Sequence, residues 1–160
     1  MPPDEARLQD ARAWLAKSEL DLKAGAHEMA APMEGLWGDV MFHAQQAAEK
    51  SMKAFLAWHD VPFRKTHNLE ELGQQCVSVD AMLAPVADQA APLTEFAWKF
   101  RYPGEAAEPD RAGAKWRWRW RGASMALSWP DCRKRRDRDP KRHLLFSSWF
   151  VFAAGRGRVR

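Results

Sequence analysis

Between Val40 and Trp58 the apolar positions fall at Val40, Met41, Ala44, Ala47, Ala48, Met52, Phe55 and Leu56. Steps of three and four put them on one stripe of an α-helix, and no glycine or proline interrupts it. The remaining positions, His43, Gln45, Gln46, Glu49, Lys50 and Lys53, read as the opposite, polar face, with Glu49 and Lys53 as a surface i,i+4 pair. Asp39 is a plausible N-cap, and Pro62 cannot continue the helix past His59-Asp60.

The same spacing recurs upstream. Leu8, Ala11, Leu15, Ser18, Leu22, Ala26 and Met29 predict a helix over about 4–29, with Asp4 and Glu5 at its positive end. Ala31-Pro32 and Gly35 break that pattern, so 32–38 reads as a connection. Downstream, Asn68 followed by Glu71 has the form of a capping box for a short helix from Leu69 to about Cys76. A last segment spans about 81–100, with Pro85 in its first turn and Pro92 predicting a kink or break. Tyr102-Pro103-Gly104 ends it. The first 105 residues show no strand-like alternation of useful length, so the fold class is all-α: an up-and-down helical bundle, residues 1–108, followed by an irregular basic tail, 109–160.

Charge sharpens that division. Residues 1–105 carry 10 Lys+Arg against 16 Asp+Glu, net −6, whereas residues 106–160 carry 15 against 5, net +10. The overall +4 therefore describes neither part. In the tail, Lys115 to Arg121 alternates cation and indole, and Arg133-Lys134-Arg135-Arg136 follows. Three readings stand: a nucleic-acid arm in which cations meet phosphate and indoles stack on bases, a segment for an anionic membrane or a partner, or the product of a reading-frame slip. Cys76 and Cys132 suit neither a disulfide framework nor a metal site, which points to a reducing cytoplasm. No apolar run approaches the roughly 18 residues of a membrane span, and no phosphate-binding Gly-rich loop or paired His/Cys ligands appear.

Phe42-His43-Ala44-Gln45-Gln46-Ala47-Ala48-Glu49-Lys50 with Lys53-Ala54 resembles the second helix of the HEPN family. Phe63-Arg64-Lys65-Thr66-His67-Asn68-Leu69, Phe96-Ala97 and Phe100-Arg101-Tyr102-Pro103-Gly104 follow in the family's order, so the resemblance covers roughly residues 6–108. It implies a bundle of four to five helices, closed by an amphipathic helix whose stripe the tail here lacks. Many HEPN proteins are metal-independent ribonucleases in which an Arg and a His a few residues on meet their counterparts across a dimer. The Arg stabilises phosphorane charge and the His acts as base. Arg101 is the nearest counterpart, but no histidine follows before His143, so the pair is absent as written.

Small HEPN proteins of this wording are often encoded beside a minimal nucleotidyltransferase, and a nucleotide-binding role has been proposed for some. The resemblance therefore implies a non-catalytic, dimeric interaction module pairing with a nucleotidyltransferase-like partner, with no cofactor or metal. Lys50, Lys53, Arg64, Lys65, His67 and Arg101 are the candidate phosphate-binding cations, and His43 and Glu49 the candidates to orient them. The alternative is a ribonuclease of a toxin–antitoxin-like system using Arg101 with His43 or His67 as base. His67 also reads simply as a loop hydrogen-bonding residue, and His43 as a satisfied interface histidine.

Overall fold

In the computed structural model, residues 3–31, 35–100, 107 and 109–118 are described. Arg101, Tyr102-Pro103-Gly104, Cys132 and everything from 119 onward lie outside them, so the expectations placed on those positions do too. Five α-helices appear: α1 (Pro3–Ala30), α2 (Trp37–Trp58), α3 (Leu69–Val79), α4 (Ala84–Ala90) and α5 (Arg111–Trp118). Two 3₁₀ segments, Ala81–Leu83 and Ala91–Ala97, flank α4. The described residues contain no strand, and none of their helices is long and apolar enough to cross a membrane. The all-α class is as expected.

α2 is the centre of the bundle. Every residue of its predicted stripe, from Val40 to Leu56, is buried. Its other side is buried as well: Gln45, Ser51, Glu49 and Lys53 are all inaccessible. This corrects the expectation of a Glu49–Lys53 surface pair, whereas His43, Gln46 and Lys50 of the same polar set are half-buried. The period of apolar residues locates the stripe that faces the core, but it cannot register neighbours that cover the remaining face.

α1 runs antiparallel to α2. Ser18 meets Ala47 and Ser51, Asp21 meets His43 and Lys50, and Arg7 near the start of α1 pairs with Asp60 beyond the end of α2. The seam is lined by small and polar groups. Ser18 Oγ donates to the Ala47 carbonyl at 2.8 Å and lies 2.9 Å from Ser51 Oγ. The Ser18 donation to a carbonyl leaves a buried hydroxyl satisfied, as burial requires.

Helix ends follow local chemistry, in one case differently from expectation. α2 starts at Trp37 behind Leu36, which makes no side-chain cap. Asp39 is therefore inside the first turn and not the N-cap; there its charge still complements the helix dipole. α2 stops in a Schellman arrangement, with Val61 N–H donating to Leu56 O at 2.9 Å and Asp60 N–H to Ala57 O at 3.2 Å. Asp60 takes the left-handed backbone, φ 59°, that this ending needs. Asn68 caps α3 as expected, accepting from the Glu70 and Glu71 amides. The reciprocal half of the box is absent because Arg64 holds the Glu71 carboxylate, while Asn68 N–H donates to Thr66 Oγ1 instead. At Pro92 the chain changes from α4 to the 3₁₀ segment, the break that an interior proline imposes.

The opening of the supposedly irregular tail is ordered. Asp110 caps α5 through Gly113 N–H at 2.7 Å, and α5 packs on α2 with Ala114 and Trp118 buried and the Arg111 guanidinium 5.6 Å from the Trp37 ring centroid. The period-two alternation of tryptophans hid this helix. Trp118 seats against α1 at Gly25, where an added Cβ would lie 2.3 Å from Trp118 Cζ3.

Gly25→Ala is expected to destabilise the protein by about 1–3 kcal/mol, because overpacking outweighs the helix-propensity gain of about 1 kcal/mol. Chemical denaturation measures it; a net gain in stability would show that the Trp118 ring yields freely.

Candidate functional site

Two ionic clusters lie along α2, and both are built by residues of the FHAQQAAEK stretch. The first joins α2 to α1. His43 Nδ1 lies 3.1 Å from Asp21 Oδ1 and His43 Nε2 lies 3.4 Å from Glu28 Oε1, while Lys50 Nζ donates to Asp21 Oδ2. Burial alone would raise the Asp21 carboxyl, but the hydrogen bonds from His43 and Lys50 outweigh it and hold the group below its ordinary value. Hydrogen bonding to Asp21 raises the His43 imidazole against the opposing effect of burial, with the Glu28 charge adding to the rise. Burial raises the Glu28 carboxyl.

The second cluster joins α2 to the loop before α3. Glu49 is its hub, with only 4% of its side chain exposed. Lys53 Nζ donates to Glu49 Oε1 at 2.7 Å, and Gln45 Nε2 donates to Oε2 at 3.0 Å. His67 Nδ1 lies 2.9 Å from the same Oε2. Burial pushes Glu49 up, yet the hydrogen bonds from Lys53, His67 and Gln45 prevail and hold it below the usual carboxylate range. Lys53, 7% exposed, also donates to the Thr66 carbonyl at 3.0 Å and sits 5.3 Å from the Trp14 ring centroid and 6.0 Å from that of Phe63. Gln45 reaches the His67 carbonyl at 3.1 Å. The loop is thus tied to α2 through its backbone as well as its side chains.

Of the candidate cations, Lys50 and Lys53 belong to different clusters, and each is committed to a carboxylate. Arg64, 77% exposed, forms a two-pronged pair with Glu71, donating from Nε at 2.6 Å and from an Nη at 2.8 Å. Lys65 is exposed. His67 is 67% exposed on its Glu49 tether. Of the two orienting candidates, Glu49 holds Lys53 and His67, whereas His43 joins Asp21 and Glu28.

Sequence reasoning missed Asp21, Glu28 and Gln45. The available signal for Asp21 was an acid three residues after Ser18 on the face of α1 that packs on α2. Among the described residues no group of three His, Cys, Asp or Glu is placed to hold a metal ion. Cys76 is buried with its thiol pushed up to about 12 by desolvation, which makes it a poor nucleophile.

An all-helical bundle whose central helix carries a buried Glu–Lys pair and a carboxylate-tethered loop histidine defines the class of protein. The HEPN domain family model matches residues 5–115, and the chain belongs to that family. No curated protein and no solved structure matches it.

The first cluster makes stability depend on pH with a definite sign. His43 is raised above 6.5, so its contribution is complete below 6.5 and is lost as pH rises through its folded value. Asp21 and Glu49 are lowered below 3.8 and 4.5, so theirs is complete above those values and is lost as pH falls through the lower folded ones. Glu28, raised, works the other way, its ionisation opposing folding as pH climbs. Thermal melts are expected to fall as pH drops below 4.5 and again as it rises through the folded value of His43, Glu28 opposing folding from 4.5 upward, with His43→Gln removing the His43 part of the alkaline fall. An unchanged alkaline limb in the variant would show that His43 does not carry it.

Proposed function

We propose that this HEPN protein is a cytoplasmic, non-catalytic interaction module that works as a dimer, pairs with a nucleotidyltransferase-like protein and takes a nucleotide as ligand. One observation carries the reading: three of the candidate cations, Lys50, Lys53 and Arg64, are already paired with carboxylates within the chain, and His67 is tied to one. Lys50 is committed to Asp21, Lys53 to Glu49, Arg64 to Glu71 and His67 to Glu49. A ribonuclease needs cations free to meet charge that develops in the transition state. A module that recognises a partner instead needs a fixed surface. Exposed Lys65 and the solvent-facing edges of Arg64 and His67 lie on one loop and supply the contact for nucleotide phosphate.

Size-exclusion chromatography with light scattering is expected to give twice the chain mass, and co-expression with a minimal nucleotidyltransferase a co-eluting complex. A monomer that ignores both nucleotide and that partner overturns the reading.

A second reading, a metal-independent ribonuclease of a toxin–antitoxin-like system, is favoured by one feature. His67 is held by Glu49 through Nδ1 while its side chain stays 67% exposed, which suits a base. Under it, structured RNA incubated in chelator is cut, and Arg101→Ala and His67→Ala each abolish the cutting. RNA that stays intact with the unaltered protein rules this reading out.

A further inference from the structure

His67 is the residue whose arrangement exceeds what holding a loop requires. Glu49 is saturated on both oxygens, by Lys53 on Oε1 and by Gln45 and His67 on Oε2. Donation from Gln45, Gln46 and the buried Lys53 keeps it an acceptor. The His67 nitrogen facing it must therefore be the donor, so in the neutral ring the proton sits on Nδ1 and the lone pair on Nε2. Nε2 has no partner among the described residues, and the ring is 67% exposed.

The backbone beneath the ring is equally fixed. Gln45 holds the His67 carbonyl, Lys53 holds that of Thr66, and the Asn68 side chain caps α3 immediately after. His43 offers the contrast: both of its ring nitrogens face carboxylates, at 3.1 and 3.4 Å, which leaves no lone pair directed at solvent. A buried lysine–glutamate pair adds little net stability after desolvation, but here it sets one imidazole in one tautomer and one orientation.

The surroundings select an anion. Arg64 and Lys65, three and two residues before His67, are exposed on the same loop. The exposed Lys65 ammonium, and the outer edge of the Arg64 guanidinium that Glu71 holds, lie on the same loop as this nitrogen and suit a phosphate group. We infer that His67 Nε2 is a phosphoryl-accepting nitrogen, taking its group from a small acyl phosphate.

The Nε2 lone pair forms the N–P bond while the bond between phosphorus and the acyl oxygen breaks. The leaving group departs with that electron pair as a carboxylate. No proton has to move. The ring becomes cationic with its Nδ1 proton still directed at Glu49, whose negative charge stabilises the product. The exposed Lys65 offsets the charge of the incoming phosphate.

The test is incubation of the full chain with acetyl phosphate, followed by intact mass measurement and peptide mapping under alkaline conditions that preserve phosphohistidine. The expected result is one acid-labile phosphoryl group on His67, formed about tenfold or more faster than on exposed His27 and His59, as pre-orientation should give. His67→Ala should lack it, and Glu49→Gln and Lys65→Ala should form it severalfold more slowly. If Glu49→Gln fails to fold, the rate ratio among histidines of the unaltered protein decides. Equal labelling of the three histidines, or none at all, overturns the inference. RNA cleavage and partner binding are read separately, so neither outcome there changes this one.

Discussion

A carboxylate removed from water must find its hydrogen-bond donors in the protein, and Glu49 is in that position at the centre of α2. Leaving such a charge unpaired costs several kcal/mol, whereas pairing it only roughly balances the desolvation of both partners. The chain meets this requirement with Lys53 one turn along, Gln45 one turn back and His67 from a loop 18 residues away in sequence. The consequence is positional. The segment between α2 and α3 is held where those donors need it, and the cap at Asn68 starts α3 at the same point. Much of the order in which α2, the loop and α3 follow one another depends on satisfying one buried anion.

The seam between α1 and α2 obeys a related constraint. Ala47 and Ser51 on α2 meet Ser18 on α1, residues too small to fill a wide gap. Close approach brings a hydroxyl pair and the Asp21–His43–Lys50 group together in a sparsely hydrated zone. Hydrogen bonds there are stronger than at the surface, and their absence would be correspondingly expensive. Trp118 then lies over Gly25 at the same level of α1 as His43, which brings α5 onto this seam.

The sequence made the framework legible because burial of apolar stripes leaves a periodic trace. The eight stripe positions of α2, the Asn68 cap and the break at Pro92 all follow from local chemistry. Three features did not show. Glu49 and Lys53 read as a surface pair, since an i,i+4 ion pair looks the same whether or not another element covers it. Asp39 read as a cap, although the helix begins two residues earlier without a side-chain cap. α5 was obscured because alternating Lys/Arg and Trp imitates a strand, whereas Ala114 and Trp118, four residues apart, are its buried positions among the described side chains. For the site, His43, Glu49, Lys50, Lys53 and the loop residues were identifiable from their wording, but Asp21 and Glu28 were not. Their role arises only when α1 and α2 pair in one antiparallel register.

The two clusters draw on similar residue types and differ in what they leave over. In the first, both nitrogens of His43 are occupied, and the Lys50 ammonium closes the remaining oxygen of Asp21. Every strong donor faces inward, so the group functions as a clasp between helices, and its protonation alters how well the helices hold. In the second, the same interactions end at an exposed ring that uses one nitrogen and presents the other. Tethering a histidine by its backbone carbonyl, its Nδ1 and the cap of the next helix is more than the connection between Trp58 and Leu69 needs in order to close. The restraint comes from α2 and from the cap of α3, while the ring itself is largely exposed. A purely structural histidine would gain from filling both nitrogens, as His43 does. The asymmetry therefore distinguishes a residue that holds the fold from one that the fold holds.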